Sequence, residues 1–252
     1  MSGGTSPRTV RIVLPAYNEA GNLPPLLRAL RDTMAGTNLA FEIIVVDDAS
    51  TDATAEVAQR SAAELPLLLL RHDVNQGLGG TLRDGLNFAL ARSGESDIII
   101  TMDADDTHPP GTVLRMLRMI DEGYDVVIAS RYRPGSRIYG VTLLRRFMSR
   151  AASMIMRVLF PTRGVRDFTC GYRAYRASVL RQAVERYGSA FLDQEGFQCM
   201  VDVLLKLRSL DLIFVEVPFL LRYDRKSGKS KMDVGRTARQ TLALLLRRRL
   251  GN

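Results

Sequence analysis

The sequence predicts an α/β fold: a mainly parallel central sheet with helices on both of its faces. Short runs of β-branched residues alternate with segments of helical spacing through the first half of the chain, and this alternation is typical of repeated βαβ units. The strand runs are apolar throughout, as expected for strands that helices cover on both sides. With 252 residues, of which 46% are hydrophobic, the chain is long enough to build one large domain of this kind.

The elements of the first half follow one another in regular order. Strands are predicted at residues 10–15, 41–48, 65–71, 97–105 and 125–132, and helices at residues 22–35, 51–64, 79–93 and 109–122. The second half is predicted as a Gly/Pro loop at 133–141, a helix with a basic stripe at 143–160, a polar loop at 162–176, two helical stretches, and a strand-like run at 212–223. The resulting organisation is a disordered lead-in at 1–9, one domain at 10–232 and a basic amphipathic C-terminal helix at 233–252.

The amino-acid composition limits which partners and which cellular compartment are expected for the chain. The formal net charge of +8 suits a partner that carries phosphate, such as a nucleic acid, a lipid headgroup or a nucleotide. A nucleic acid is disfavoured, because few aromatic residues lie among the basic clusters and no recognition motif is present. Cys170 and Cys199 are too few and too far apart for a zinc cluster, and nothing resembles a signal peptide, so a cytoplasmic location is predicted. No apolar run has the length that a membrane span needs.

One acidic stretch, "TMDADDTHPP" from Thr101 to Pro110, ends the fourth predicted strand. Ligands of open α/β sheets collect at the carboxyl ends of strands, and the i, i+2 spacing of Asp103 and Asp105 turns both carboxylates to one side of an extended chain. Such a pair suits Mg²⁺ or Mn²⁺, which take oxygen ligands from carboxylates and from substrate phosphates. The alternative is an acidic first turn of the helix predicted to start at Pro109. The spacing by itself leaves both interpretations open.

Two further motifs fall on the same edge of the predicted sheet. "VVDDASTD" places Asp47 at the end of the second strand, and "LPAYNEAGNL" places Pro15, Tyr17 and Glu19 at the end of the first. Acidic residues on two strand ends favour a nucleotide, since one carboxylate can accept hydrogen bonds from base or ribose while the other pair holds metal and diphosphate. Asp52 is interpreted as a helix-capping residue. "GLGGTLRDG" looks like a dinucleotide fingerprint, but it follows the third strand and lacks the third glycine in its place, so NAD is not expected.

Eight motifs in a fixed order carry a resemblance to a known family: "LPAYNEAGNL", "EIIVVDDASTDAT", "GLGGTLRDGL", "MDADDTHPP", "ASRYRPG", "DFTCGYRAYR", "FVEVP" and "RKSGKSKM", from about Val10 to Met232. In this order they resemble family 2 glycosyltransferases and look most like the dolichyl-phosphate mannose synthase branch. The resemblance implies a GT-A catalytic domain, a Rossmann-like nucleotide-diphospho-sugar transferase fold, over 10–232. It also implies a nucleotide-sugar donor (GDP-mannose or a UDP-sugar), Mg²⁺ or Mn²⁺, and inverting transfer of a hexose to a polyprenyl phosphate of the dolichyl type.

The same resemblance assigns residues to parts of the site. Asp105, Arg131 and Arg225 are implied to be catalytic, with Asp103 and Asp105 at the metal. The implied nucleotide-sugar contacts are Pro15, Tyr17, Glu19, Val45, Asp47, Asp103, Ala104, Thr107 and Lys231, and the implied contacts of the acceptor phosphate are Arg145, Ser149 and Arg150. A lipid phosphate is already ionised and needs no base, whereas the leaving diphosphate needs the positive charge that metal and arginine supply.

Departures from the family pattern keep alternatives open. Thr107 stands where Gln or Ser is common, and Asp202 stands where Glu is usual, so the sugar and the acceptor side stay unassigned. One alternative is a same-fold glycosyltransferase with a soluble hydroxyl acceptor, for which Glu195 and Asp202 are the candidate bases. Another is a non-catalytic nucleotide-sugar-binding protein.

The C-terminal segment "RTARQTLALLLRRRLGN" allows two interpretations. It either lies in the membrane interface with its arginines at anionic headgroups, or packs on the domain with those arginines at its negative dipole end. A lipid acceptor requires the enzyme to reach the membrane surface, so the chain is predicted to be peripheral to the membrane, with a membrane-anchoring subunit as one partner considered.

Overall fold

The computed structural model of the protein describes residues 8–226 and 234–249. Its strands are β1 (Thr9–Ala16), β2 (Ala40–Asp47), β3 (Leu67–Arg71), β4 (Ile98–Thr101), β5 (Val126–Ser130), β6 (Arg137–Tyr139), β7 (Arg173–Arg176), β8 (Phe214–Pro218) and β9 (Leu220–Arg222). Its helices are α1 (Leu23–Ala35), α2 (Thr54–Ser61), α3 (Gly77–Ala91), α4 (Thr112–Asp121), α5 (Leu143–Leu159), α6 (Ala177–Tyr187), α7 (Cys199–Leu207) and α8 (Val234–Arg249), with a 3-10 helix at Gly188–Leu192.

Seven strands form the central sheet in the order β3-β2-β1-β4-β7-β5-β8, and β6 pairs with β9 in a small second sheet. Within the large sheet all pairings are parallel except those of β7. The apolar runs that predicted the inner strands are buried on both faces; in β4, for example, all four residues are buried. The predicted α/β class, with a mainly parallel sheet, is confirmed.

Strand β7 lies in a segment that the sequence predicts as a polar loop. Its first residue, Arg173, has no exposed surface, because its guanidinium donates to the backbone carbonyls of Met200 at 2.7 Å and Phe168 at 2.8 Å. A buried arginine that is satisfied by backbone groups does not produce an apolar run, so the pattern misses the strand. β7 separates β4 from β5 and brings the preceding loop beside the end of β4. β6 likewise lies within the predicted Gly/Pro loop.

The glycines of "GLGGTLRDG" serve packing. A Cβ on Gly79 would lie 1.7 Å from the backbone oxygen of Gln194, and the Gly79 N–H donates to the carbonyl of Glu195 at 2.7 Å. Gly85 faces Val13 and Val46 of the sheet, where a Cβ would lie 2.6 Å from the nearer side chain. These close approaches explain why helix α3 carries glycine in its first turns without being a nucleotide fingerprint.

The two ends of the described chain are both attached to the domain. β1 begins at Thr9, one residue earlier than predicted, and Arg8 forms an ion pair with Asp121; the rest of the predicted lead-in lies outside the described residues. At the other end, Leu244 and Leu245 of α8 are buried. α8 therefore packs on the domain, which agrees with the second interpretation of the C-terminal segment. Among the described residues, no helix is both long and apolar enough to span a bilayer.

Candidate active site

The loops that follow β1, β2 and β4 each contain a non-glycine residue in the left-handed region. Asn18 has φ 52°, Ala49 has φ 57° and Asp106 has φ 57°. β2, β1 and β4 are adjacent parallel strands, so the three loops lie along one edge of the sheet. Such conformations cost about 1–3 kcal/mol each and collect at functional sites. The strain marks the same edge that the acidic motifs predict.

Hydrogen bonds join the first two of these loops. The Asn18 side chain accepts from the Thr51 N–H at 2.8 Å, and the Glu19 N–H donates to the Thr54 hydroxyl at 2.8 Å. Asp52 accepts from the Ala20 and Thr54 N–H groups at 3.2 Å and 3.0 Å and so joins the two loops, whereas the N-cap of α2 is Ala53, so the predicted capping position is wrong by one residue. Because Tyr17 and Glu19 lie within this framework, their backbone positions are set before any ligand arrives.

The adjacent aspartates at the end of β2 have different environments. Asp47 has no exposed surface, and its Oδ1 accepts from the Ser50 N–H at 3.3 Å. Among the described residues Oδ2 accepts no hydrogen bond, although Arg71 Nε lies 3.6 Å away. Asp48 anchors the turn before α3, because its carboxylate lies 2.8 Å from His72 Nδ1 and accepts from the N–H groups of Gln76 and Gly77. Asp47 therefore keeps an unused acceptor, which fits its predicted contact with a nucleoside.

Other predicted nucleoside contacts differ in accessibility. Pro15 lines a small cleft together with Asp103 and Thr169. Val45 is fully buried inside β2 and Ala104 is almost fully buried, so neither side chain is presented to an open pocket in this structure. Their contacts with a donor stay predictions.

Asp105 is the most strongly fixed carboxylate of this edge. Its Oδ1 accepts from the Thr107 hydroxyl at 2.6 Å and from the Thr107 N–H at 3.2 Å, while its Oδ2 accepts from Lys226 Nζ at 2.6 Å. Burial favours the neutral acid, but the nearby His108 and Lys226, with the hydrogen bonds from Lys226 and Thr107, together lower the pKa of Asp105. Thr107 is itself buried and holds Asp105 in place.

Lys226 was not among the predicted site residues. Partial burial favours its neutral amine, yet the charge and hydrogen bond of Asp105 raise the pKa of Lys226 above its ordinary value. The motif "RKSGKSKM" drew attention to Arg225 and Lys231 instead. Arg225 is exposed in this structure, and Lys231 lies outside the described residues. No spacing rule distinguishes Lys226 from its basic neighbours in the sequence.

Asp103 is more open than Asp105, with 48% of its side chain accessible. Its backbone N–H donates to His108 Nδ1 at 3.2 Å, and the His108 ring stacks on Tyr172 with centroids 5.0 Å apart. Desolvation by the surrounding protein raises the pKa of Asp103. The charge of His108 opposes this shift, and the charge of Asp105 adds to it. His108 therefore orders the turn that contains both aspartates.

The donor atoms of this edge fit a divalent cation of the Mg²⁺ or Mn²⁺ type. Two carboxylates supply hard oxygen ligands, and Asp105 Oδ2 already carries a positive group, the Lys226 ammonium. Within residues 8–226 and 234–249, no three His, Cys, Asp or Glu side chains form a metal cluster. A cation held here would complete its coordination with water and substrate phosphate, as Mg²⁺ usually does.

Arg131 is held at the end of β5 by Asp167. Its Nε donates to Oδ2 at 2.8 Å, its Nη2 donates to Oδ1 at 2.6 Å, and its backbone N–H donates to Oδ2 at 3.0 Å. Asp167 is fully buried; burial raises the pKa of such a carboxyl, but Arg131 outweighs this and lowers the pKa of Asp167. Arg131 Nη2 also donates to the Thr169 hydroxyl, and Thr169 lines the same cleft as Asp103. Thr169 is therefore the residue that lies between Arg131 and the cleft with Asp103.

Glu216 of β8 holds the loop that carries Asp167. Its Oε1 accepts from the backbone N–H groups of Arg166 and Asp167, both at 2.6 Å. Burial raises the pKa of Glu216, although the two backbone hydrogen bonds oppose the shift. Glu216 therefore fixes the loop that presents Asp167 to Arg131. The motif "FVEVP" was quoted only for its resemblance, and its buried glutamate was not predicted to have this role.

The predicted acceptor-phosphate residues all lie on α5. The Ser149 hydroxyl pairs with the Tyr132 hydroxyl at 2.5 Å, Arg145 lies over the Tyr223 ring at 5.5 Å, and Arg150 is exposed. Tyr132 follows Arg131 directly, so Ser149 lies near the arginine that donates to Thr169 of the cleft. Ser149 is engaged within the protein, and phosphate binding by these three residues stays a prediction.

Asp202, one candidate base of the hydroxyl-acceptor alternative, forms ion pairs within the protein. Asp202 is 1% exposed, with Lys206 Nζ 2.5 Å from its Oδ2 and Arg248 of α8 donating to its Oδ1 at 2.9 Å. Because both oxygens of this buried carboxylate are engaged by cationic side chains, Asp202 has no open position for the proton of a hydroxyl acceptor. The other candidate, Glu195, is exposed beside the start of α3.

A GT-A glycosyltransferase is the class that this sheet and its carboxylate edge define, and solved structures of that class match the chain. Glucosyl-3-phosphoglycerate synthase from Mycobacterium tuberculosis, in complex with Mn²⁺, UDP and phosphoglyceric acid, superimposes with a TM-score of 0.69 at 21% identity. The match covers 97% of this chain and 79% of that chain. A structure of the same enzyme with Mg²⁺ and UDP has a TM-score of 0.70 at 20% identity, covering 97% and 80% of the two chains.

The family model of glycosyl transferase family 2 matches residues 11–183, and the chain belongs to this family of glycosyltransferases. The undecaprenyl-phosphate mannosyltransferase of Micrococcus luteus is 35% identical over 90% of this chain and 88% of its own length. The polyprenol monophosphomannose synthase of Mycolicibacterium smegmatis is 31% identical over 91% and 85%. The dolichol-phosphate mannosyltransferase of Pyrococcus furiosus is 32% identical over 88% of this chain, which spans 59% of that protein.

Proposed function

We propose that this glycosyltransferase moves a hexose from a nucleotide sugar, GDP-mannose or a UDP-sugar, to a polyprenyl phosphate at a membrane surface, with inversion at the anomeric carbon. The names of the three relatives, each at 31% identity or more, support a polyprenyl phosphate acceptor. The observation in the structure that carries the proposal is helix α5, which exposes an apolar face and contacts, through Ser149, the tyrosine that follows Arg131.

Helix α5 exposes large apolar side chains along most of its length. Leu143 is 79% exposed, Phe147 is 71% exposed and Val158 is 75% exposed. The exposed apolar set is Leu143, Leu144, Phe147, Met148, Met154, Ile155 and Val158. The helix is attached through its opposite side, where Ser149 bonds to Tyr132, Ser153 donates to the Arg166 carbonyl and Met156 is buried. An apolar face of this extent marks an interaction site rather than an ordinary surface.

The charges on α5 favour an anionic bilayer as the occupant of this face. Arg146, Arg150 and Arg157 alternate with the apolar residues along the sequence, so at helical spacing they fall along one border of the apolar face. The helix contains no acidic residue. Basic side chains beside Phe, Leu and Met are typical of helices that lie in the headgroup region. Because Ser149 contacts Tyr132, next to Arg131, a docked α5 would hold the cleft at the surface where a lipid phosphate is found.

The chemistry follows from the groups present. An acceptor phosphate oxygen is already ionised and attacks the anomeric carbon directly, so the commitment of Asp202 to its two cationic partners costs the reaction nothing. Arg131 supplies a fixed cation for the leaving diphosphate, and Asp167 keeps its fork oriented. Asp103 and Asp105 would hold the divalent cation, which supplies Lewis-acid stabilisation of charge on the diphosphate. Asp47 offers its free acceptor to the nucleoside.

A donor and acceptor screen tests the reaction. The purified protein is incubated with Mn²⁺ or Mg²⁺ and GDP-mannose, UDP-glucose or other nucleotide sugars, with and without polyprenyl phosphate. Lipid-linked product is expected only when polyprenyl phosphate is present, and Asp105→Asn is expected to abolish it. Asp32→Asn, at an exposed ion pair with Arg31, is the matched control. Product formed only on a hydroxyl acceptor would overturn the proposal.

Vesicle flotation tests the α5 surface. The double variant Phe147→Asp/Val158→Asp is expected to lose binding to vesicles that contain anionic lipid, because it places carboxylates in the apolar face. Leu242→Asp changes an exposed apolar residue on α8, with 58% of its surface accessible, and is expected to float like the parent protein. Equal flotation of all three proteins would contradict the assignment. A second outcome would also contradict it: the parent protein does not bind vesicles but forms a dimer, and Phe147→Asp/Val158→Asp disrupts that dimer.

A further inference from the structure

Lys226 occupies the position at Asp105 that a divalent cation would take. Its Nζ lies 2.6 Å from Asp105 Oδ2, and the two side chains are 11% and 10% exposed. Oδ1 of the same carboxylate is already used by Thr107. Oδ2 is thus the oxygen left for a metal, and a divalent cation coordinated there would lie close to an ammonium of the same sign, which favours displacement of the ammonium.

A buried carboxylate needs a counter-charge, and Lys226 provides it here. An uncompensated Asp105 would pay a desolvation cost that exceeds most single interactions in a protein. The acidic surroundings extend beyond this pair, because Asp103 and Glu19 also lie within electrostatic range of the lysine. A cation at this point stabilises the ionised carboxylate, and in this structure the Lys226 ammonium supplies that charge.

We propose that Lys226 is the internal counter-ion of Asp105, which the divalent cation displaces, so that this lysine sets the affinity of the metal-free enzyme for metal. The proposal rests on the proposed function only in taking Asp105 as a metal ligand. Binding of the cation is then an exchange: one positive group leaves the carboxylate as another arrives. The released ammonium remains on the segment that follows β9, beside the Tyr223 ring, where its charge becomes available to an anionic ligand.

The exchange separates Lys226 from the other cations near the site. Arg131 is bound to Asp167 and Arg222 is bound to Asp224, so neither contacts Asp105. A residue that only adds positive charge near the site weakens metal binding through long-range repulsion, and the size of that effect depends on its charge and distance. A residue that occupies the ligand oxygen weakens it further, since its hydrogen bond must break.

Titration of Mn²⁺ into the protein without nucleotide, followed by electron paramagnetic resonance of the free ion, tests the exchange. Lys226→Met removes the charge and keeps an unbranched side chain that is shorter by a single atom, and about tenfold tighter Mn²⁺ binding is expected, as the loss of one charge-assisted hydrogen bond predicts. Arg222→Met removes one unit of charge from the same segment without touching Asp105, and a change of less than about twofold is expected. Equal or weaker Mn²⁺ binding by Lys226→Met would overturn the proposal.

Thermal unfolding gives the second measurement. Without metal, Lys226→Met should unfold at a lower temperature than the parent protein, because Asp105 loses its partner. Saturating Mn²⁺ should raise the midpoint more in Lys226→Met than in the parent. Equal increases in the two proteins would also count against the exchange. Neither measurement involves sugar transfer, so a negative transfer assay with tighter Mn²⁺ binding by Lys226→Met would refute the proposed function and leave the exchange standing.

Discussion

Replacement of Asp167 by asparagine tests whether the buried pair with Arg131 organises the site. The Asp167 carboxylate accepts from three groups of Arg131 and also from the N–H groups of Thr169 at 3.3 Å and Cys170 at 3.2 Å. Both of its oxygens are therefore surrounded by donors. An asparagine amide would turn its own NH₂ group toward one set of those donors, whichever way it is oriented.

The magnitude follows from burial. Asp167 has no exposed side-chain surface and Arg131 has 20%, so solvent screens the pair weakly. Removing one partner of such a pair costs about 3–5 kcal/mol, because the remaining charge is left uncompensated. We expect Asp167→Asn to lower the free energy of unfolding at pH 7 by about that amount. Asp224→Asn, which breaks an exposed pair with Arg222, should cost far less.

The pH dependence provides an independent check. The pKa of Asp167 is lowered in the folded protein, so its stabilisation is present above the ordinary carboxyl pKa and is lost as the pH falls through the lower folded value. In urea titrations the gap between parent and Asp167→Asn should be constant from about pH 5 to 8 and shrink below about pH 4. A loss under about 1 kcal/mol at pH 7, or a gap that does not shrink in acid, would refute the reasoning.

Three further predictions concern the frame of the site. Gly79→Ala should destabilise the protein by about 3 kcal/mol or more in urea unfolding, because its Cβ would overlap the Gln194 carbonyl oxygen; a loss under about 1 kcal/mol would contradict that contact. Because burial raises the pKa of Glu216, the stability difference between Glu216→Gln and the parent should shift in favour of Gln between pH 4 and pH 7, and a flat difference would exclude this effect. Ala49→Gly should raise the free energy of unfolding by up to about 1 kcal/mol, since φ is 57° there, whereas a loss would show that the Ala49 methyl packs favourably.

Sequence reasoning succeeded where the local pattern and the final environment agree. β1, β2, β4 and β5 are mostly buried apolar runs, β3 is a half-buried edge strand, and the loops after β1, β2 and β4 carry the acidic motifs on one edge of the sheet. The interpretation of Asp52 as a structural residue was correct in kind, because it accepts from the Thr54 N–H in its own loop, although the N-cap of α2 is Ala53. In these cases each residue interacts with groups close in sequence or in an adjacent strand.

The features that were missed depend on distant contacts. Lys226 reaches Asp105 across 121 positions, and Glu216 reaches the Arg166 N–H across 50 positions. β7 carries a buried arginine that only its backbone partners make tolerable. The periodicity of α5 predicted a helix but not which side would be covered, because an apolar face looks the same in sequence whether protein or lipid receives it.

The position of β7 has a consequence for the synthesis of the protein. β5 has two neighbours in the sheet, β7 and β8, and both are translated after it. β1 to β4 can assemble as a four-stranded unit while the ribosome is still producing α5, but β5 must wait for residues 173–176 before either of its edges is satisfied. A nascent chain paused in this interval exposes unpaired edges on both β4 and β5, which are the kind of edge that recruits other chains. Mutations that slow the closing of β7 should therefore lower the yield of native enzyme more than its final stability.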